Sequence, residues 1–325
     1  MRLGIAFEGM RPVGEMMELA REAETAGFHS LWMAEHMGYR SAVATAMALL
    51  AATERVTVVP VAISPYSRHV LIHAMSGATL AEAAPGRVIW SMGTANLMAL
   101  GEMGIELRQP VAVHREYISA LRAYWSGETL QREGKAVTLR DSKMFFPPPE
   151  PIPILLASMG PKMLRLSGEA ADGVILSAGL SPAFMKHSLE KVLEGARLAG
   201  KKKEDLELAG FVITSTSRDR SEAVEAARSL LAYLFRSKAI AENVRFTGTA
   251  IDLEAVAEAG ACHDWEAAKK HISDEAVHTY ANAGTPDECR RRLEEYLDIG
   301  LTTVVFVTVG EDRNKRLVLE IARGL

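Results

Sequence analysis

Short apolar or β-branched runs alternate with longer amphipathic stretches along most of the chain, the pattern of βαβ units feeding a parallel sheet. Arg2 to Phe7 reads as a first strand. In the stretch Val13 to Glu24, Met16, Leu19, Ala20 and Ala23 fall at i, i+3, i+4 and i+7, one face of a helix, and Gly27 closes it. The beat continues with a strand over His29 to Ala34 and a helix over Ser41 to Thr53. A third strand over Arg55 to Ile63 leads to a helix over His69 to Ala83 that Pro85-Gly86 stops. Val88 to Met92 is a fourth strand, followed by a short segment from Leu97 to Met103 and a strong helix from Val113 to Trp125.

Residues 127 to 146 alternate polar and apolar around Gly134-Lys135 and predict a surface hairpin. Strands then follow at Ile154 to Ala157, Gly173 to Leu176 and Leu206 to Thr214, with helices at Pro161 to Ala170, Pro182 to Ala199 and Arg220 to Arg236. From 240 to 283 the periodicity weakens, which predicts a helical insertion or lid after strand seven. Pro286 sits in the first turn of a helix ending near Ile299, and Thr302 to Val307 is an eighth strand ahead of a final helix. Eight strands, each followed by helix, predict a closed (β/α)8 TIM barrel occupying residues 1–325 as one domain. An open doubly wound sheet is disfavoured, since no GxGxxG is present.

Composition narrows the function. Hydrophobic residues at 48% and charged ones at 24% suit a globular chain with a core. A net charge of -4 gives no basic footprint, and Lys201-Lys202-Lys203 is answered at once by Glu204 and Asp205, so no nucleic-acid partner is expected. No apolar run approaches the roughly 18 residues of a membrane span, and the start lacks a signal-peptide core, so a cytoplasmic protein is expected. Cys262 and Cys289 lie far apart without CxxC spacing, which predicts neither a disulfide nor a metal site. GxSxG, P-loop and kinase signatures are missing.

In such a barrel the chemistry sits on the loops after the strands. Glu35-His36, after strand two, is the sharpest pair there, because a histidine can hydrogen-bond a cofactor ring or move a proton near neutral pH; capping is the competing role. Ser158-Met159-Gly160 and Ser177-Ala178-Gly179 are small-residue triplets beside helix N-termini, which suits a phosphate. Thr94 and Asn96 in Gly93-Thr94-Ala95-Asn96 could meet a planar ring or cap the next helix. His69, His73, His114, His263, His271 and His278 have no metal spacing and read as scaffold or surface, and the methionines read as core filler.

An ordered set of segments resembles the luciferase-like oxidoreductase family over nearly the whole chain. They are Ala20 to Phe28 leading to Trp32-Met33-Ala34-Glu35-His36, then Ser64-Pro65-Tyr66-Ser67-Arg68, Gly86-Arg87, Pro153 to Ala157 with Gly160-Pro161-Lys162, Ala171-Asp172-Gly173, and Gly284-Thr285-Pro286-Asp287. The likeness is strongest to the deazaflavin-dependent branch that includes the methylenetetrahydromethanopterin reductases. The resemblance implies a reduced cofactor, coenzyme F420 or FMN, with His36 beside its ring and a non-prolyl cis peptide at Val61-Ala62 beneath it. It further implies that Ser158, Met159, Gly160, Ser177 and Ala178 receive the phosphate. Hydride transfer from F420 to a small organic substrate is the leading expectation. FMN-dependent monooxygenation, with a partner flavin reductase, and a flavin-binding protein without turnover are the alternatives. A homodimer is expected by the same analogy. Ala6 and Asn96 stand where relatives carry carboxylates, so acid–base work falls to His36, Glu35 or Glu8.

Overall fold

A computed structural model describes residues 2–323. The strands are β1 (Arg2–Phe7), β2 (Ser30–Ala34), β3 (Thr57–Val61), β4 (Trp90–Gly93), β5 (Leu130–Glu133), β6 (Thr138–Ser142), β7 (Ile154–Ala157), β8 (Gly173–Leu176), β9 (Glu207–Thr216), β10 (Ala281–Gly284) and β11 (Thr303–Val309). The first helices are α1 (Val13–Thr25), α2 (Ala42–Ala52), α3 (Val70–Ala83), α4 (Leu97–Glu102), α5 (Pro110–Trp125), α6 (Pro161–Ala170) and α7 (Pro182–Leu198). After them come α8 (Arg220–Phe235), α9 (Ala241–Thr247), α10 (Leu253–Ala261), α11 (Trp265–Lys269), α12 (Asp274–Tyr280), α13 (Pro286–Asp298) and α14 (Asp312–Ala322).

Parallel pairing runs β3-β2-β1-β11-β9-β8-β7-β4, and bridges from Val58 to Val88 and from Ile63 to Met92 join β3 to β4, closing the ring. This is the expected (β/α)8 barrel. Alternation along each strand divides the apolar side chains into two sets. One fills the layer between sheet and helices. The other fills the barrel: Trp32, Val59, Val61, Leu155, Ile175, Ala209 and Val305 are buried, with Ala6, Ala62, Ile89, Ala157 and Phe211 partly covered above them. Trp32 is the largest of the interior side chains. Its indole N–H donates to Ser30 Oγ at 2.7 Å, and its bulk is why Gly4 faces it, since a Cβ there would lie 2.4 Å from Trp32 Nε1.

The predicted insertion from 240 to 283 needs correction at its end. Helices α9 to α12 occupy it, but Ala281–Gly284 is a strand, all four residues buried, paired parallel to the upper half of β9 from Ile213 to Thr216. β9 is ten residues long; its lower half pairs with β8, so its upper half is left with an open edge that β10 completes. The sequence Ala-Asn-Ala-Gly is too short and has no β-branched or aromatic residue that could announce a strand. Other boundaries move by a few residues: α5 begins at Pro110, and β9 runs on to Thr216. The hairpin expected at 127 to 146 is present as antiparallel β5 and β6. Among the described residues, no helix is long and apolar enough to cross a membrane, and no three His, Cys, Asp or Glu side chains gather as a metal site.

Candidate active site

The strand exits meet at the C-terminal mouth, where register sets Ala34 of β2 beside Val61 of β3 and Gly93 of β4 beside Ala157 of β7. The side chains forming the top of the barrel interior there are small. A Cβ on Gly93 would sit 3.0 Å from Ala62 Cβ and 3.2 Å from Ala157 Cβ, so these three residues form one close-packed floor, with Ala6 facing the same interior. The Val61-Ala62 peptide bond is cis, as the resemblance implied. The Glu35 amide donates to the Val61 carbonyl, Ser91 Oγ donates to Pro60 O at 2.6 Å, and Ile63 N donates to Ser91 O at 3.0 Å, so this corner is anchored on both sides.

A layer of donors behind the floor holds the loop from β3 to α3. Trp90 Nε1 donates to His73 Nδ1 at 3.3 Å, which leaves the imidazole proton on Nε2, 3.3 Å from the Ser64 carbonyl. Tyr117 Oη lies 2.8 Å from Pro65 O and 3.1 Å from Arg68 O. Burial pushes the His73 pKa down to about 3, so it is a neutral scaffold group at physiological pH. His69 caps α3, and His114 is fully buried with Nδ1 2.7 Å from Pro110 O. The scaffold reading of these histidines fits.

Glu35 and His36 are neighbours with opposite surroundings. Both oxygens of the Glu35 carboxylate are engaged: Oε2 accepts the Ala42 amide at 2.6 Å at the start of α2, and Oε1 pairs with Arg68. Its side chain is only 8% exposed, so it ties the β2 and β3 exits together and is poorly placed to exchange protons. His36, by contrast, opens to solvent at the mouth, its ring edge-on to Tyr39 at 5.4 Å. Desolvation by the surrounding protein lowers its pKa from the ordinary histidine value, while Glu8 and Glu35 act the other way. The ring is therefore neutral near pH 7 and able to accept a hydrogen bond or a proton.

Asn96 takes the capping alternative: Oδ1 accepts the Met98 amide at 2.9 Å at the start of α4, just after Ala95 in left-handed conformation with φ 67°. Thr94 is half-buried, and its carbonyl lies 3.4 Å from Ser64 Oγ.

The two small-residue triplets differ. Ser158 is built into the wall, its amide bonded to Ile175 O at 3.2 Å and its hydroxyl to Ser167 Oγ at 3.0 Å, and Met159 packs on the core. Gly160 caps α6 without any side-chain acceptor, Pro161 occupies the first turn and Lys162 is exposed, so this helix start presents uncapped amides and a cation. Ser177 is exposed and Ala178 half-buried at the next exit. α7 is capped internally, Ser181 Oγ accepting the Phe184 amide at 3.1 Å. Sequence reasoning missed what fixes this loop. Asn243 of α9, fully buried, donates to Gly179 O at 3.0 Å and accepts from the Ser181 amide at 3.1 Å and its hydroxyl at 3.3 Å. Asn243 stands between Glu242 and Val244 in the insertion, and nothing in that local sequence marks it as the residue that fixes the loop. Arg68 was visible only inside a resemblance segment.

Flat floor, neutral imidazole and an uncapped helix start beside a lysine fit a planar ring with an anionic tail. A separate cavity of about 700 Å³ between α8 and α12 is lined by Arg220, Glu225, Arg228, Asp274 and His278. Its guanidiniums are matched by Asp274, Glu225 and His278, and the mouth remains the better candidate.

The sequence pattern of the luciferase-like monooxygenase family matches residues 3–303. The chain belongs to the luciferase-like monooxygenase family. Within it, this luciferase-like chain is 30% identical to the 5,10-methylenetetrahydromethanopterin reductase of Methanolobus tindarius over 98% of both chains. It is 28% identical to the F420-dependent glucose-6-phosphate dehydrogenase of Amycolatopsis mediterranei over 93% of this chain and 91% of that one. Its fold superposes on the coenzyme F420 dependent tetrahydromethanopterin reductase of Methanopyrus kandleri with a TM-score of 0.90 at 26% identity, covering 99% of this chain and 97% of the other. It is an oxidoreductase of the luciferase-like type.

Proposed function

We propose that the barrel mouth binds reduced coenzyme F420 and that the enzyme reduces a small organic substrate. The observation that carries this is the floor of small residues Ala6, Ala62, Gly93 and Ala157 at the strand exits, with His36 exposed on the loop after β2 at the same end of the barrel. When bound, the deazaflavin supplies a hydride. The chain's own residues do the rest. Val61, Ala62 and Gly93 support the ring from below, and Thr94 lines its edge. The uncapped start of α6, with Gly160 and Lys162, draws the phosphate together with Met159, Ser177 and Ala178, while Ser158 fixes the wall behind. His36 is the catalytic residue, moving a proton to or from the substrate heteroatom. Exposed Met10 and Tyr39 on the loops after β1 and β2, with Leu97 and Met98 in the first turn of α4, give the substrate an apolar rim.

Two further parts belong to this reading. The chain acts as one barrel domain, supported by a buried cluster with members from Leu3 to Ala322, and it works in the cytoplasm. It works as a homodimer through α2 and α3: α2 has no charged residue, and Ile72 and Met75 of α3 stand 45% and 50% exposed beside it.

Titrating the purified protein separately with F420 and with FMN, followed by fluorescence, tests the proposal. Tight F420 binding with weak FMN binding supports it. The reverse result overturns it in favour of FMN-dependent monooxygenation fed by a flavin reductase. Tight binding without substrate turnover would leave a binding protein.

A further inference from the structure

We propose that Arg68 is the positioning residue of His36: from the exit loop of β3 it grips the Glu35 carboxylate that closes the base of the loop carrying the imidazole, and so sets where that ring stands at the barrel mouth. This rests on the reading of His36 as the proton-transferring group.

The loop after β2 leaves at Glu35 and returns at Ala42, where α2 begins. Ser41, the residue before α2, makes no side-chain bond to the helix start, although serine commonly does so at that position. Glu35 supplies the bond instead. Its Oε2 accepts the Ala42 amide at 2.6 Å, so one carboxylate joins the two feet of the loop and lays its charge at the N-terminus of α2. The Glu35 amide donates to the Val61 carbonyl, which fixes the first foot to β3. Between the feet, His36, Gly38, Tyr39, Arg40 and Ser41 are exposed. Within this span the Tyr39 amide donates to the His36 carbonyl at 3.1 Å. Arg40 ties the far side to the β1 exit, donating to the carbonyls of Gly9 at 3.1 Å and Met10 at 2.8 Å. His36 stands at the other end, one peptide bond from Glu35, so the Glu35 foot decides its place.

Arg68 holds that foot from a rigid mount. Tyr117 Oη lies 3.1 Å from its carbonyl and 2.8 Å from that of Pro65, which fixes the β3 exit loop to α5. The turn before it is closed by Ser67 Oγ donating to Ser64 O at 3.2 Å and by the Tyr66 amide donating to Ser64 Oγ at 3.2 Å. His73 Nε2, on α3, lies 3.3 Å from the same Ser64 carbonyl. From this mount the Arg68 guanidinium donates to Glu35 Oε1 as an ion pair. The two side chains are 24% and 8% exposed, so loss of Arg68 would strand a desolvated carboxylate at the base of the loop, and the base would open to hydrate it. A histidine moves a proton efficiently only within hydrogen-bond reach of the acceptor, and a misplacement of about 1 Å can cost about a hundredfold in rate. Arg68 thus acts on the chemistry through Glu35, by holding the imidazole at a fixed distance from the β3 exit.

Hydrogen exchange read by mass spectrometry on the cofactor-free protein, wild type against Arg68→Met, tests the proposal. The amides of Tyr39, Arg40 and Ala42 are hydrogen-bonded in the folded loop and should exchange at least about tenfold faster in the variant. Exchange over β8 and α7, across the barrel, should not change. Arg68→Lys keeps the charge but not the planar fork and should restore most of the protection. Unchanged exchange over residues 36–42 in folded Arg68→Met overturns the proposal. An increase spread evenly over the barrel overturns it too, because it marks a residue of general stability alone. Should Arg68→Met misfold, Glu35→Gln gives the same reading, since it keeps an acceptor for the Ala42 amide and removes the ion pair. In turnover assays with reduced F420, kcat should fall about ten- to a hundredfold in Arg68→Met while the F420 Kd stays within about threefold, and Arg68→Lys should recover most of the loss. Wild-type kcat in Arg68→Met, where His36→Ala is slowed, overturns the positioning role. If His36→Ala itself turns over at the wild-type rate, the proton-transfer reading is what fails, and the exchange result still reports the clamp.

Discussion

Replacing Gly93 by valine asks directly whether the small-residue floor receives a ring. A Cβ at this position would lie 3.0 Å from the Ala62 methyl and 3.2 Å from the Ala157 methyl, inside the roughly 3.5–4.0 Å at which carbon atoms attract. Both neighbours are alanines whose methyls are attached directly to the backbone, so neither can rotate aside. The added Cγ atoms are forced upward into the mouth. Overpacking of this kind costs about 1–3 kcal/mol of folding stability, and side-chain atoms occupying the ring's place should weaken the binding of a ring lying on the floor by about tenfold or more, which is about 1.4 kcal/mol. The assay is fluorescence titration with whichever of F420 or FMN the wild type binds, alongside a thermal melt. Gly101→Ala is the control, because a Cβ there meets nothing within 4 Å and should be neutral or stabilising by up to about 1 kcal/mol. Wild-type affinity in a folded Gly93→Val protein would refute the placement of the ring.

His36→Ala should lower kcat by about a hundredfold or more while leaving cofactor affinity within about tenfold, as expected for a general acid–base group away from the phosphate contacts; unchanged turnover counts against the assignment. Asn243→Ala removes three hydrogen bonds that hold Gly179 and Ser181, which should destabilise by about 1–3 kcal/mol in urea unfolding and weaken cofactor binding through Ser177 and Ala178. His73 titrates near 3 in the folded protein but near 6.5 when unfolded, so between these values the unfolded chain holds the extra proton and stability falls as pH drops. Melting temperatures from pH 7 to 4.5 should therefore decline less steeply in His73→Gln, and parallel slopes would contradict the buried neutral imidazole. Trp32→Ala empties the barrel's largest interior side chain and should cost about 3–5 kcal/mol in the same urea assay.

Much of the barrel was readable from periodicity, because each strand buries one face in the barrel and the other under helices, and each helix buries a stripe. Met16, Leu19, Ala20 and Ala23 are the buried face of α1 as their spacing required. Where burial demands no repeat, the signal vanishes: β10 is held by the spare edge of β9, a condition created by partners more than sixty residues away. Asn243 and Arg68 were hidden for the same reason, since what each bonds is decided by loops distant in sequence.

The candidate site divides along the same line. Sequence alone determined that Glu35 and His36 follow the second strand, that glycine and alanine occupy the exits of strands one, three, four and five, and that small residues precede two late helices. It also placed the chain, by resemblance, among enzymes with an unusual peptide at Val61-Ala62. Tertiary structure decided which of two adjacent polar residues is free. Arg68 and the start of α2 engage Glu35, while His36 is exposed at the mouth with Tyr39 edge-on to its ring. It likewise made Asn96 a helix cap and left the start of α6 open where that of α7 is sealed. Periodicity reports which face of an element avoids water, a property of local chain geometry. The charge and hydrogen-bond partners of a polar side chain depend on groups that meet it only after the barrel has closed.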